Sequence, residues 1–65
     1  MRILLDDYMC KHNLNDRRVE ALTGVPKSTV NRIRNSLVSP NLDTLEQLAK
    51  GLHIRISDLF ESDYK

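Results

Sequence analysis

Between Lys27 and Arg34 the chain sets out Lys27, Ser28, Thr29, Asn31, Arg32 and Arg34, interrupted only by the apolar Val30 and Ile33. Wound into an α-helix, that spacing turns Val30 and Ile33 inward and the polar side chains outward. Hydroxyls, an amide and cations on one helix face make a set of donors and acceptors. The DNA major groove admits one such helix and shows a distinct donor and acceptor pattern at each base pair. Lys27 and Ser28 fall in the first turn, with Arg32 one turn beyond Ser28. Arg32 can grip a guanine O6/N7 edge bidentately, and Lys27 can reach the same acceptors as a point donor. Thr29 suits a thymine methyl or a phosphate. The competing reading is a merely solvated helix face, because polar outer faces are common.

These side chains need elements to position them. Asn15 is a good N-cap for a helix over about 16–23, with Val19 and Leu22 as its apolar stripe. Gly24 suits a left-handed helix end, Val25 an apolar step, and Pro26 the first turn of the next helix, about 27–35. Upstream, Arg2 to His12 reads as a helix with Leu5, Tyr8, Met9 and His12 inward and Asp6, Asp7 and Lys11 outward. Asn13 is its left-handed stop. Downstream, Ser36 to Pro40 is a loop, and Asn41 caps a fourth helix with Leu42, Leu45, Leu48 and Ala49 as its apolar face. Gly51 is expected to end it, Leu52 and Ile54 to lead to Ile56, and Ser57 to cap a last short helix from Asp58 to about Ser62. Leu59 and Phe60 would close the core, and Ser62 to Lys65 would fray. No segment alternates long enough to predict a strand. The pattern predicts an all-α, five-helix fold in which residues 1–65 form a single domain.

The formal net charge is only +1, so its distribution says more than its total. Up to residue 40, Arg2, Lys11, Arg17, Arg18, Lys27, Arg32 and Arg34 outweigh Asp6, Asp7, Asp16 and Glu20. Beyond it, Lys50, Arg55 and Lys65 are outweighed by Asp43, Glu46, Asp58, Glu61 and Asp63. Such asymmetry suits one face on phosphates and another away from them. Cys10 stands alone, which rules out an internal disulfide, and is expected to pack as a small apolar residue. His12 and His53 are too far apart to suggest a metal pair, and Tyr8 and Tyr64 read as core and tail residues. No apolar run approaches a membrane span and no signal peptide is recognised, so the cytoplasm is the expected location. Glycine-rich phosphate loops, metal-ligand clusters and nucleophile–base pairs are absent, so an enzyme is not expected, nor a cofactor, a metal or a small-molecule ligand.

From about Leu4 to Phe60 the chain resembles the lambda-repressor/Cro family of helix-turn-helix DNA-binding proteins. The resemblance is carried by Leu14, Val19, Gly24, Val25, Val30, Ile33 and Asn35, with SPNLDTLEQLAKGLHI and DLF downstream in register. It implies a compact lambda-repressor-like domain whose helix 3 reads double-stranded DNA. Lys27, Ser28 and Arg32 match that family's usual base-contacting positions, and with Thr29 and Asn31 they form the expected base-contacting set. The expected phosphate contacts are Asn15, Arg17, Arg18, Arg34 and Asn35, although surface pairing of Arg17 with Glu20 competes for Arg17. Family members dimerise around their last helix, which here points to Leu52, Ile54, Arg55, Ile56 and Phe60. A homodimer would place two recognition helices about one DNA turn, roughly 34 Å, apart on a palindromic operator.

The chain departs from that family at several positions. Asp16 replaces a phosphate-binding glutamine at the start of helix 2, and a carboxylate there should repel a phosphate. Glu20 replaces a small alanine facing helix 3, so it must splay outward or meet a cation, Arg34 or Arg32. Some relatives pair an arginine of helix 1 with a glutamate late in helix 3. Met9 and Arg34 stand at those positions here, which would free Arg34 for Glu20 or a phosphate. Leu37 and Val38 occupy a loop that is commonly basic, so a shallower salt dependence is expected. The leading reading is a small transcriptional regulator of Cro or repressor type. The alternative keeps the fold but makes the chain an antitoxin-like or antirepressor-like adaptor that meets a partner protein at Leu37 and Val38.

Overall fold

Short-range capping decides where two of the helices of this chain start. The Asn15 side chain accepts from the Arg18 amide at 2.7 Å and opens α2, Asp16–Thr23. Asn41 does the same for Thr44 at 2.8 Å and opens α4, Leu42–Leu52. Each cap satisfies one of the amides that a helix start leaves without a partner. The computed structural model describes all 65 residues. Its other helices are α1, Leu5–Lys11, and α3, Lys27–Arg34. A 3₁₀ turn covers Ile56–Leu59, and two short strands, β1 (Arg2–Ile3) and β2 (Phe60–Glu61), pair antiparallel.

The all-α expectation holds in its main part: the fold is mostly helical, but it has four α-helices, not five. The last segment departs because Asp58, not Ser57, closes the turn. Its carboxylate accepts from the Arg55 amide at 3.1 Å while its own amide donates to the Arg55 carbonyl at 3.0 Å. That hold is one turn long, and the chain then extends into β2, where Phe60 pairs with Ile3 and Glu61 with Arg2. The same pairing takes Arg2 and Ile3 out of the first helix, which begins at Leu5 instead. Leu4 donates its amide to the Leu59 carbonyl at 2.8 Å. Strands of two residues are too short to register as alternation.

Gly51 does not end α4, since the helix continues to Leu52 and turns at His53, whose φ of 58° is left-handed. The glycine serves close packing instead. A Cβ there would lie 2.5 Å from the Leu22 carbonyl oxygen and 2.6 Å from Thr23 Cα, so α4 crosses α2 at backbone distance. Left-handed stops at Asn13 (φ 55°) and Gly24 (φ 78°) stand as expected.

The core gathers Leu5 and Met9 from α1, Val19 from α2, Val25 from the turn, Val30 and Ile33 from α3, and Leu45, Leu48, Ala49 and Leu52 from α4, with Leu59. Thr23 is buried with them. Its hydroxyl donates to the Val19 carbonyl at 2.7 Å and accepts from the Val25 amide at 3.2 Å, which pins the end of α2 to the turn. Four expected core positions lie outside. Leu42 is 75% exposed in the first turn of α4, Leu22 faces partly outward, and Cys10 is exposed. His12 is exposed too, its ring stacked at 4.3 Å on that of half-buried Tyr8. No helix is long and apolar enough to cross a membrane.

Candidate nucleic-acid interface

Gly24, Val25 and Pro26 join α2 to α3. Gly24 closes α2 in the left-handed conformation, with its amide bonded to the Glu20 carbonyl at 2.8 Å. Buried Val25 then anchors the corner in the core. Pro26 stands just before α3, where its carbonyl accepts from Thr29 and Val30. A proline cannot cap with its side chain, which leaves the first amides of α3 in need of an acceptor. Glu20 supplies it, its carboxylate accepting from the Lys27 amide at 2.9 Å. An anion at a helix N-terminus is favourable in its own right. Glu20 therefore meets the backbone of α3 rather than Arg34 or Arg32, and it is not paired with Arg17.

With Val30 and Ile33 buried, the opposite face of α3 presents Lys27, Ser28, Asn31 and Arg32, all exposed, with Thr29 half-buried at its edge. Lys27 and Arg32 have no carboxylate partner within ion-pair distance, and neither have Arg17 and Arg18 on exposed positions of α2. Four unpaired cations thus belong to the two helices of the helix-turn-helix.

The remaining expected contact residues, Arg34, Asn35 and Asn15, are engaged in bonds within the fold. Arg34 is only 26% exposed at its side chain and bridges two carboxylates, Nε to Asp6 Oδ1 at 2.7 Å and Nη1 to Asp16 Oδ1 at 2.8 Å. Neither Glu20 nor solvent holds it, which corrects the expectation that replacing the helix 1 arginine frees Arg34. Met9 is wholly buried, and Asp6, one turn earlier on α1, takes the arginine instead. The hydrogen bond to Asp16 first, and the one to Asp6 second, raise the Arg34 pKa above an already high ordinary value, so the cation is permanent. Asp16 also accepts from Asn31 Nδ2 at 3.2 Å through its second oxygen. Asn35 in turn donates to the Asn31 carbonyl at 3.0 Å and to its Oδ1 at 3.2 Å. The Asn15 side-chain oxygen is occupied with its cap.

Sequence reasoning missed Asp6 and Asp16 as partners of Arg34, and Glu20 as the cap of α3. Glu20 carried a readable signal, a carboxylate on the turn that faces a proline-led helix start. The Asp6–Arg34 pair joins residues 28 apart and leaves no local trace.

Of the expected dimer residues, Leu52 is 7% exposed and belongs to the core, so it offers no surface to a partner. Ile54, Ile56 and Phe60 are half-buried against that core, and Arg55 is exposed. Leu37 and Val38 are 69% and 41% exposed. Val38 also lines a shallow groove of about 380 Å³, with Met1, Ile3, Ile33, Asp6 and Arg34 among its walls.

No curated protein and no solved structure matches the chain. A family profile does, that of the Cro/C1-type HTH DNA-binding domain, over residues 5–63. The matched span runs from the first residue of α1 past β2 and takes in the whole α2–turn–α3 unit, so the chain belongs to the Cro/C1-type HTH DNA-binding domain family.

Proposed function

We propose that this chain is a sequence-specific transcriptional regulator of Cro or repressor type, acting as one domain and inserting α3 into the major groove of a palindromic operator as a homodimer. The observation that carries this reading is the exposed face of α3. Lys27, Ser28, Asn31 and Arg32 stand together on a helix fixed by Val30 and Ile33 in the core and by Glu20 at its start, with Lys27 and Arg32 unpaired. Arg32 and Lys27 serve guanine edges, and Ser28, Thr29 and Asn31 complete the base contacts. Arg17 and Arg18 take phosphates, helped by Asn15 and Asn35. Ile54, Arg55, Ile56 and Phe60 remain the dimer surface, which predicts half-sites about one DNA turn apart, roughly 34 Å. The family is described by DNA binding, and the chemistry proposed involves no catalysis.

The test is binding by the wild type and Arg32→Ala across a salt series, on selected and scrambled duplexes. Arg32→Ala is expected to lose about 1–3 kcal/mol of the preference for the selected site. If both proteins bind all duplexes weakly and alike, base reading by α3 is wrong. The exposure of Leu37 and Val38 favours a second reading, an adaptor with a protein partner at that loop. It predicts that Lys27→Ala with Arg32→Ala leaves function intact while Leu37→Asp abolishes it.

A further inference from the structure

Asp16 is an anion at the edge of a surface proposed to meet a polyanion, and it is not idle there. Its Oδ1 takes Arg34 and its Oδ2 takes Asn31, so one carboxylate stands between a residue of the reading face and the one cation of α3 that is not free. Asp6 holds the same guanidinium from the other side. Two carboxylates against one guanidinium leave this corner net negative. Asp16 also opens α2, and the N-terminal amides of a helix would otherwise receive a phosphate oxygen.

We propose that Asp16 attenuates phosphate binding by this interface. It withholds Arg34 from the phosphate backbone and keeps one edge of the interface anionic. The domain thereby lowers its affinity for all DNA and weakens its dependence on salt. Phosphate contacts carry no sequence information, yet they supply essentially all non-specific binding. A protein that gives up one such contact loses affinity for every duplex. Contacts to base edges then make up a larger share of what remains. The bond from Asp16 to Asn31 adds orientation, since it turns the amide nitrogen toward α2 while Asn35 takes the amide oxygen.

The proposal rests on the DNA-binding reading above, and the experiment separates the two. Wild type, Asp16→Asn and Asp16→Asn/Arg34→Gln are titrated onto selected and scrambled duplexes from 50 to 200 mM salt, with melting followed by circular dichroism. Asparagine keeps the shape and an oxygen for Asn31 but removes the charge. Asp16→Asn is expected to bind the scrambled duplex more tightly and to steepen the log–log salt slope by about 0.9. That is about a threefold further loss of affinity over this salt range. The selected duplex gains by the same factor, so the ratio of selected to scrambled affinity stays the same, and the double variant returns the slope to that of the wild type. If Asp16→Asn is unfolded at the assay temperature, Asp16→Gln, which also removes the charge and keeps an amide oxygen, gives the same comparison. An unchanged slope and scrambled affinity in a wild type that does discriminate overturns this proposal alone. Weaker binding to both duplexes at an unchanged ratio overturns it too, and makes Asp16 a support for α3. A wild type that binds both duplexes alike, with Arg32→Ala also without effect, removes the DNA-reading function and this proposal together.

Discussion

Glu20 and Asp16 are both carboxylates on α2, yet they act on opposite ends of α3. Glu20 holds the Lys27 amide at its start, and Asp16 holds the Arg34 guanidinium in its last turn. The recognition helix is thereby fixed along its length by two side chains one turn apart on its neighbour. Arg34 suits the second task because its planar fork can give separate N–H groups to Asp16 and Asp6, which a lysine ammonium does less well. Its pKa is raised in the folded protein, so with Asp6 and Asp16 ionised the stabilisation is complete up to arginine's ordinary value and fades only in extreme alkali. Arg34→Lys should therefore behave differently from wild type with pH. Near pH 7 it is expected to cost at most about 1 kcal/mol, as partly exposed pairs do. The deficit should widen as pH rises through the lysine range, about 10.4. Melting temperatures of wild type, Arg34→Lys and Arg34→Ala between pH 7 and 11 check this. Parallel curves for wild type and Arg34→Lys would show that the charge of Arg34 does not hold the helices together.

Among the elements, the crossing of α4 over α2 is the tightest joint, and Gly51 is its pivot. Alanine normally stabilises a helix relative to glycine by about 0.5–1 kcal/mol. Here the added Cβ would meet Leu22 and Thr23 backbone at 2.5–2.6 Å, and backbone cannot rotate aside. Gly51→Ala is expected to reverse the usual sign and destabilise by about 1–3 kcal/mol, the cost of overpacking. Urea unfolding measures it, and a higher midpoint would mean that α4 slides freely on α2. The sequence alone suggests a different job for this glycine, that of a helix stop, because it follows the last clear apolar turn. The bounds of α2 were fully legible, and those of α3 to within a residue, since Asn15, Gly24 and Pro26 act on amides and carbonyls only a few positions away. What depended on distant partners was not. The choice between Leu22 and Thr23 as the buried residue, the role of Gly51 and the bridging of Arg34 are all decided by elements 18 to 29 residues away. Leu42 misleads for a simpler reason: it keeps helical spacing with Leu45 but lies in the first turn, beyond the reach of the neighbouring helices.

In the whole molecule, one small core serves every helix, and a domain of this size has little stability to spare. The segments added at its two ends therefore matter more than their length suggests. Arg2–Ile3 lies beside Phe60–Glu61, and the Leu4 amide reaches the Leu59 carbonyl, so the first and last elements of the chain are sewn into one seam. The polypeptide is in effect a nearly closed ring with a small gap. Joining Lys65 to Met1 through a short glycine linker should cost the native state little, because Arg2 near one end already pairs with Glu61 near the other. It would remove much of the freedom of the unfolded chain, with an entropic ceiling of about 4 kcal/mol for a loop of this length. Such a circular form is expected to melt well above the linear one while keeping the same face of α3 exposed. The seam also makes a circularly permuted chain, reopened at the Ser36–Pro40 loop, a feasible arrangement of the same fold.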